Sequence, residues 1–290
     1  MFVSSSRRHP HRPHRKAACA ALFAAGCALA PWNAAHAAEA APASAPASAP
    51  APASAFTVGG NVTLVSDYLM RGISMTQHKP TVQGEIDLSH TSGWFGTIWG
   101  SGVSNAVYPN GSGSEIDLVT GWQFSLPAGL GLNLGYYAYF YPGAYTADRI
   151  HFNTQEIKAA LSYDTFSAGA AVTTSRYFSG VYDYDAHEKP KKSQGSLYLE
   201  ANWNPALTDG VTLNLHAGHQ QIRNASAFNF SDYKIGVTLD GKRVNLPGWS
   251  ASLAWSHNNG NRSLWTFANS DGSSKVAVGS RVLATIAYSF

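Results

Sequence analysis

Between Phe56 and Phe290 the chain repeats one device: short segments in which apolar and polar side chains alternate. Leu132, Leu134, Tyr136, Ala138 and Phe140 interleave with Asn133, Gly135, Tyr137 and Tyr139. Leu197, Leu199, Ala201 and Trp203 alternate with Tyr198, Glu200 and Asn202, and Val211, Leu213, Leu215 and Ala217 with Thr212, Asn214 and His216. The same period returns at Tyr233, Ile235, Val237 and Leu239 and at Trp249, Ala251, Leu253 and Trp255. A period of two puts each set on its own face of a sheet, and no long amphipathic helix competes with it. Twelve strands are predicted, near 57–70, 80–89, 94–104, 114–125, 131–141, 153–163, 166–177, 195–204, 211–222, 231–240, 248–258 and 277–290.

The connections sharpen the expectation. Short ones (HTSG, LPAGLG, YDTF, PALTDG) alternate with longer ones at 142–152, 178–194 and 259–276 that are rich in Gly, Ser, Asn and charge. Short turns on one side and long loops on the other describe an all-β, closed antiparallel transmembrane β-barrel. Closure is a hydrogen-bonding requirement, because every backbone N–H and C=O in lipid must find a partner within the protein. An even strand number returns both ends of the chain to the same, periplasmic side.

The final strand sets Val282, Ala284, Ile286, Tyr288 and Phe290 on one face and Arg281, Thr285 and Ser289 on the other. With its C-terminal Tyr288-Ser289-Phe290, it resembles the terminal signature of bacterial outer-membrane barrels, the strand offered to the barrel-assembly machinery. Trp94, Trp122, Phe124, Trp203, Trp249 and Trp255 near strand ends suit aromatic girdles at the two interfaces with outer-membrane lipids. In a soluble sandwich the same rings would fill a core.

The amino-terminal region carries a different message. Arg7, Arg8, Arg12, Arg15 and Lys16 precede an apolar run from Ala17 to Pro31, and Ala35-His36-Ala37 supplies an A-x-A cleavage site. Residues 1–37 therefore read as a cleaved signal peptide directing export. Ala24-Ala25-Gly26-Cys27 makes a poor lipoprotein box, and the A-x-A site fits better. Residues 38–55, ending APASAPASAPAPASA, cannot bury a core and read as a disordered Ala/Pro-rich spacer. Residues 56–290 form the barrel domain.

Loss of the leader would remove Cys19 and Cys27, and with them disulfides and thiolate chemistry. It would also remove five of the 20 basic residues, leaving 15 against 17 acidic ones. The net positive charge of the whole chain is thus a property of the leader, and nothing supports a nucleic-acid partner.

The alternation assigns an inward set: Asp67, Arg71, Gln83, Glu85, Asp87, Glu115, Asp117, Glu156, Lys158, Glu200, Asp232, Lys234 and Arg281. Mixed charge costs much in a dry core and little in a water-filled lumen. Charged constrictions also select ions and solutes. The residues therefore predict either a narrow passive channel for small hydrophilic solutes or ions, or a wall whose charges pair across the lumen and plug it. No inward-folded loop is expected between the third and fourth strands, so narrowing falls to wall side chains or to the three longer loops.

Chemistry-bearing constellations are weak, and no catalytic, cofactor or metal site is assigned. Asp183, Asp185, His187 and Glu188 offer oxygen and imidazole ligands without the spacing of a loop site, beside Lys189, Lys191 and Lys192. His216 and His219 are three apart on a strand and point to opposite faces. Ser256-His257-Asn258 holds the residue types of a lipid-hydrolysing triad, but neighbours on a strand cannot converge. A lipid-modifying barrel enzyme and an adhesive barrel working through its loops are the rival readings.

The stretch Ser66 to Gly84 reads as the first external hairpin. Tyr68 is expected on the lipid side, with Gly72 freeing the turn and Pro80 opening the returning strand. Asp67 and Arg71 would both line the lumen about 13 Å apart at ~3.3 Å per residue. Across the ladder Asp67 would meet Gln83 or Glu85, and Arg71 would meet Lys79 or Thr81, bracing the wall or tuning selectivity.

Ser66-Asp67-Tyr68, Arg71-Gly72, Ser74, Pro80 and Gln83-Gly84 resemble the opening motif of the family known as Gcw_chp or TorF-type, roughly S-D-Y-x-x-R-G-x-S then P-x-x-Q-G. Gly93-Trp94-Phe95, Trp99-Gly100-Ser101 and Glu200-Ala201-Asn202-Trp203 are similar to later segments of the same family. Met75 departs from the polar residue expected there. The resemblance implies an outer-membrane barrel called a porin by inference, with no catalytic residues.

Overall fold

A computed structural model describes residues 54–290. The signal peptide, both cysteines and all of the spacer but Ser54 and Ala55 lie outside the described residues. Twelve long strands run in chain order: β1 (Phe56–Val65), β2 (Thr81–His90), β3 (Trp94–Gly102), β4 (Ser114–Ser125), β5 (Leu130–Phe140) and β6 (Thr154–Tyr163). They continue with β7 (Phe166–Thr173), β8 (Leu197–Trp203), β9 (Val211–Gln221), β10 (Phe230–Asp240), β11 (Trp249–Asn258) and β12 (Gly279–Ser289). Each pairs antiparallel with its neighbours in sequence, and β12 returns to β1 through Val65↔Thr285 and Asn61↔Ser289. The sheet is thus a closed barrel, with no α-helix among the described residues. Backbone bonds between Gly60 and Phe290, at 3.0 and 3.2 Å, extend the seam to the last residue.

Alternation sorts the two faces as the sequence predicts. Val62, Leu64, Ile86, Ile98, Leu134, Ile157, Ile235, Leu253, Val282 and Ile286 are all exposed, whereas Asn61, Thr63, Gln83, Asp87, Asn133 and Asn202 are buried. A barrel that hides its polar residues and shows its aliphatic ones is inverted relative to a soluble protein, and lipid is the solvent that makes this favourable. At the end where Phe56 and Phe290 lie, exposed Trp122, Phe124, Tyr163, Phe166, Trp203, Trp249 and Tyr288 form a girdle. Short turns lie at that end, and the longer connections at the other.

Two strand ends differ from expectation by more than two residues. The seventh strand stops at Thr173, because Ser175 Oγ accepts from Gln155 N and the chain leaves the wall. The first stops at Val65 instead of running to 70. Beyond Ser66, whose amide still donates to Ala284 O at 2.9 Å, the chain departs from the sheet, the largest difference between the predicted and the observed fold.

Candidate functional site

After Val65 the chain turns into the barrel. Asp67 through Gln77 are all buried, and a small hairpin of Leu69–Met70 paired with Ile73–Ser74 stands inside the mouth at the loop end. Arg71 and Gly72 form its tip with φ of 49° and 74°, the left-handed pair that a two-residue type I′ turn requires. Tyr68, expected toward lipid, is wholly buried and lies 5.3 Å from the Trp99 ring on the inner face of β3. Its neighbours Leu69 and Met70 break the two-residue period, so no register could hold this stretch as a half-exposed wall strand. With Met75, Trp99, Tyr108, Tyr141, Phe178 and Trp265, the hairpin builds an apolar cluster across the mouth. Tyr108 stacks on Tyr141 at 3.9 Å and donates to Met75 Sδ at 3.1 Å.

The expected cross-ladder partners of Asp67 and Arg71 are therefore replaced. Asp67 accepts from Ser74 Oγ at 2.6 Å and Thr76 Oγ1 at 2.8 Å, and its other oxygen lies 3.1 Å from His78 Nδ1 and 3.8 Å from Arg281 Nε. It staples the base of the hairpin to itself and to β12. Arg71 crosses the lumen. Its Nη2 donates to Glu156 Oε2 on β6 at 2.6 Å, and its Nη1 donates to Gln220 Oε1 on β9. The guanidinium sits 4.1 Å above the Tyr198 ring on β8 and 5.5 Å from that of Phe178. Asn258 on β11 donates to the Arg71 carbonyl at 2.9 Å. The tip is thus held across the lumen by β6, β8 and β9, and from nearer its own strands by β11.

The remaining predicted residues stand on inward wall positions. Gln83, Glu85 and Asp87 lie on β2, with Asn61 donating to Glu85 at 2.7 Å and Thr97 donating to Asp87 at 2.5 Å. On β4 Asp117 is in register with Trp99 and Glu115 with Ser101, and Tyr141 donates to Glu115 at 2.8 Å. Lys158 on β6 lies 4.4 Å over the Tyr137 ring. Glu200 occupies β8, Lys234 on β10 is in register with Ser256 of β11, and Arg281 lies near the start of β12. Asp232 is in a group not anticipated from sequence: its Oδ2 meets His216 Nε2 at 2.8 Å and its Oδ1 accepts from Tyr198 at 3.1 Å. His216 Nδ1 in turn meets Asn202 Oδ1 at 2.7 Å.

The weaker constellations stay dispersed. Among the described residues no three of His, Cys, Asp and Glu are gathered to hold a metal ion. Asp185 Oδ1 accepts from its own loop, the His187 and Lys189 amides at 2.8 and 2.9 Å. His216 faces the lumen, while His219 pairs with Ser231 at 2.9 Å among exposed atoms. Ser256 and Asn258 are buried, but His257 turns out to stack on Trp255, so the three do not converge.

Sequence reading missed Tyr198, Gln220, Asn258 and Phe178, which come together only around Arg71. The available signal was the apolar run Tyr68-Leu69-Met70, which breaks the two-residue period just before Gly72.

These features define a class: a twelve-stranded, all-β transmembrane barrel with a polar interior and a buried hairpin across one mouth. The family described as "Bacterial protein of unknown function (Gcw_chp)" matches residues 49–290, and the chain belongs to it. No curated protein matches it by sequence. Similar solved structures include the NanC porin, 8% identical with a TM-score of 0.48 over 81% of this chain and 99% of that one. The KdgM porin is 7% identical, with a TM-score of 0.46 over 80% and 99% of the two chains. The outer membrane protein opdK from Pseudomonas aeruginosa is 10% identical, with a TM-score of 0.38 over 73% and 57%.

Proposed function

We propose that this protein is a porin of TorF type, a bacterial outer-membrane channel through which small hydrophilic solutes or ions diffuse passively, kept shut by its first hairpin. The observation that carries the reading is the wall beneath the hairpin. Glu85, Glu200 and Lys234 keep partial exposure inside a barrel whose outer face is aliphatic, and one buried carboxylate oxygen each of Glu85 and Glu200 has no protein partner. Charges left at that depth cost little only where water reaches them. On this reading Gln83, Glu85, Asp87, Glu115, Asp117, Lys158, Glu200, Asp232 and Lys234 line the pathway, and Arg71, Glu156, Asp67 and Arg281 brace the gate.

The burial of Asp67 through Gln77 also favours a second reading, a structural barrel permanently plugged by the hairpin. Planar-bilayer recording separates the two. The wild type should open rarely, and a chain with residues 67–77 replaced by a Gly/Ser linker should conduct steadily. Silence from both at every voltage would leave the structural barrel.

Export by a cleaved signal peptide, a spacer on the periplasmic side and assembly through the C-terminal strand belong to the same proposal. Amino-terminal sequencing of protein from outer-membrane fractions should begin at Ala38.

A further inference from the structure

The contacts of Arg71 form a built binding site, and the wall supplies it independently of the hairpin. Gln220 is fixed by its own amide, which donates to Leu197 O at 3.3 Å and Gln221 O at 3.2 Å, so its Oε1 points into the lumen. The Tyr198 hydroxyl donates to Asp232, and this holds the ring face open to a cation. Glu156 is wholly buried and takes a further bond from the Tyr139 hydroxyl at 3.3 Å. Glu156, Gln220 and Tyr198 each stand on a barrel strand, the most rigid support available, and Phe178 adds a ring from the connection between β7 and β8. Two acceptors on separate strands beside an aromatic face match a flat fork of N–H donors and suit a compact ammonium poorly.

The tethered arginine does not saturate this seat. Glu156 Oε1 and Arg71 Nε are both buried without a hydrogen-bond partner. Arg71 also holds φ at 49°, a conformation that costs a non-glycine residue free energy. A soluble guanidinium, free to rotate, could engage the second carboxylate oxygen and relieve the turn. We propose that the pocket formed by Glu156, Gln220, Tyr198 and Phe178 is a guanidinium receptor occupied in cis by Arg71. Small guanidinium-bearing solutes, such as arginine or an arginine-ended peptide, compete for it and release the hairpin. The pocket stands on the geometry alone, and its consequence for conduction rests on the channel reading above.

The test uses the full chain refolded in detergent, with methylguanidinium as probe and methylammonium as control. In Arg71→Ala the receptor is vacant, and saturating methylguanidinium should raise the unfolding temperature by about 2–4 °C. Methylammonium should not, and Glu156→Gln added to Arg71→Ala should abolish the shift. The wild type needs no substitution: tens of millimolar methylguanidinium, near the effective concentration of a short tether, should speed trypsin cleavage after Arg71. Cleavage after the exposed Lys192 serves as the internal reference and keeps the readout independent of how Arg71→Ala folds. Equal responses to the two cations in both assays overturn the receptor. Absence of conductance from every variant overturns the channel instead and leaves the binding result standing.

Discussion

Gly72→Ala probes the seating of the hairpin through a single methyl group. A Cβ at this position would lie 3.0 Å from the Cβ atoms of both Asp232 and Asn258, on a backbone at φ 74°. Two costs apply, and both act only while the tip is seated. An alanine in the left-handed region gives up about 1–2 kcal/mol relative to glycine. Carbon contacts at 3.0 Å fall well inside the ~3.5–4.0 Å optimum, and overpacking of this kind adds about 1–3 kcal/mol. Together they remove at least ~2 kcal/mol from the seated state, a shift of roughly 30-fold or more toward release at 1.4 kcal/mol per factor of ten. Open probability in planar bilayers should rise by that factor. Gly272→Ala is the matched control, because Gly272 has φ 82° and nothing within 4 Å of its would-be Cβ. It carries the backbone cost without the clash. Equal behaviour of the two variants, or a Gly72→Ala protein as closed and as stable as wild type, would refute the seating argument.

Three further outcomes are expected. Leu253→Arg, on the exposed aliphatic face midway along β11, should destabilise the barrel by about 2–4 kcal/mol in urea titrations in lipid vesicles; Ser252→Arg on the inward face should cost far less. Deleting Phe290 removes both backbone bonds to Gly60 that end the β12–β1 seam, and should lower the yield of the compact, heat-modifiable form on detergent gels, while Phe290→Tyr retains it. Asp148 accepts from the hydroxyls of Tyr182 and Tyr184, and these bonds hold its carboxyl below the usual carboxylate range. A depressed pKa stabilises the folded loop above the ordinary value of about 3.9 and is lost as pH falls through the lower folded value. Hydrogen-exchange protection factors in loop 178–194, corrected for the intrinsic pH dependence of exchange, should therefore stay flat from neutrality to about pH 4 and fall below it, and Asp148→Asn should remove the step.

The wall of the barrel is legible from the residues alone. Period-two alternation is a local property of a strand, so Leu134 against Asn133, or Ile157 against Glu156, reads correctly without knowing any partner. Turn lengths then set which strands are neighbours, and the need to satisfy backbone groups in lipid forces the ends to meet. Glu85, Glu115, Glu156, Lys158 and Asp232 stand on the inward face of their strands. What those side chains touch is fixed in three dimensions. Arg71 and Glu156 belong to opposite walls, and their contact depends on a hairpin leaving its sheet, which no ladder register encodes. The period-two rule carried Tyr68 outward because it assumes that the strand continues. The apolar run Tyr68-Leu69-Met70 obeys a different constraint, burial on every side, and only an enclosed lumen supplies it.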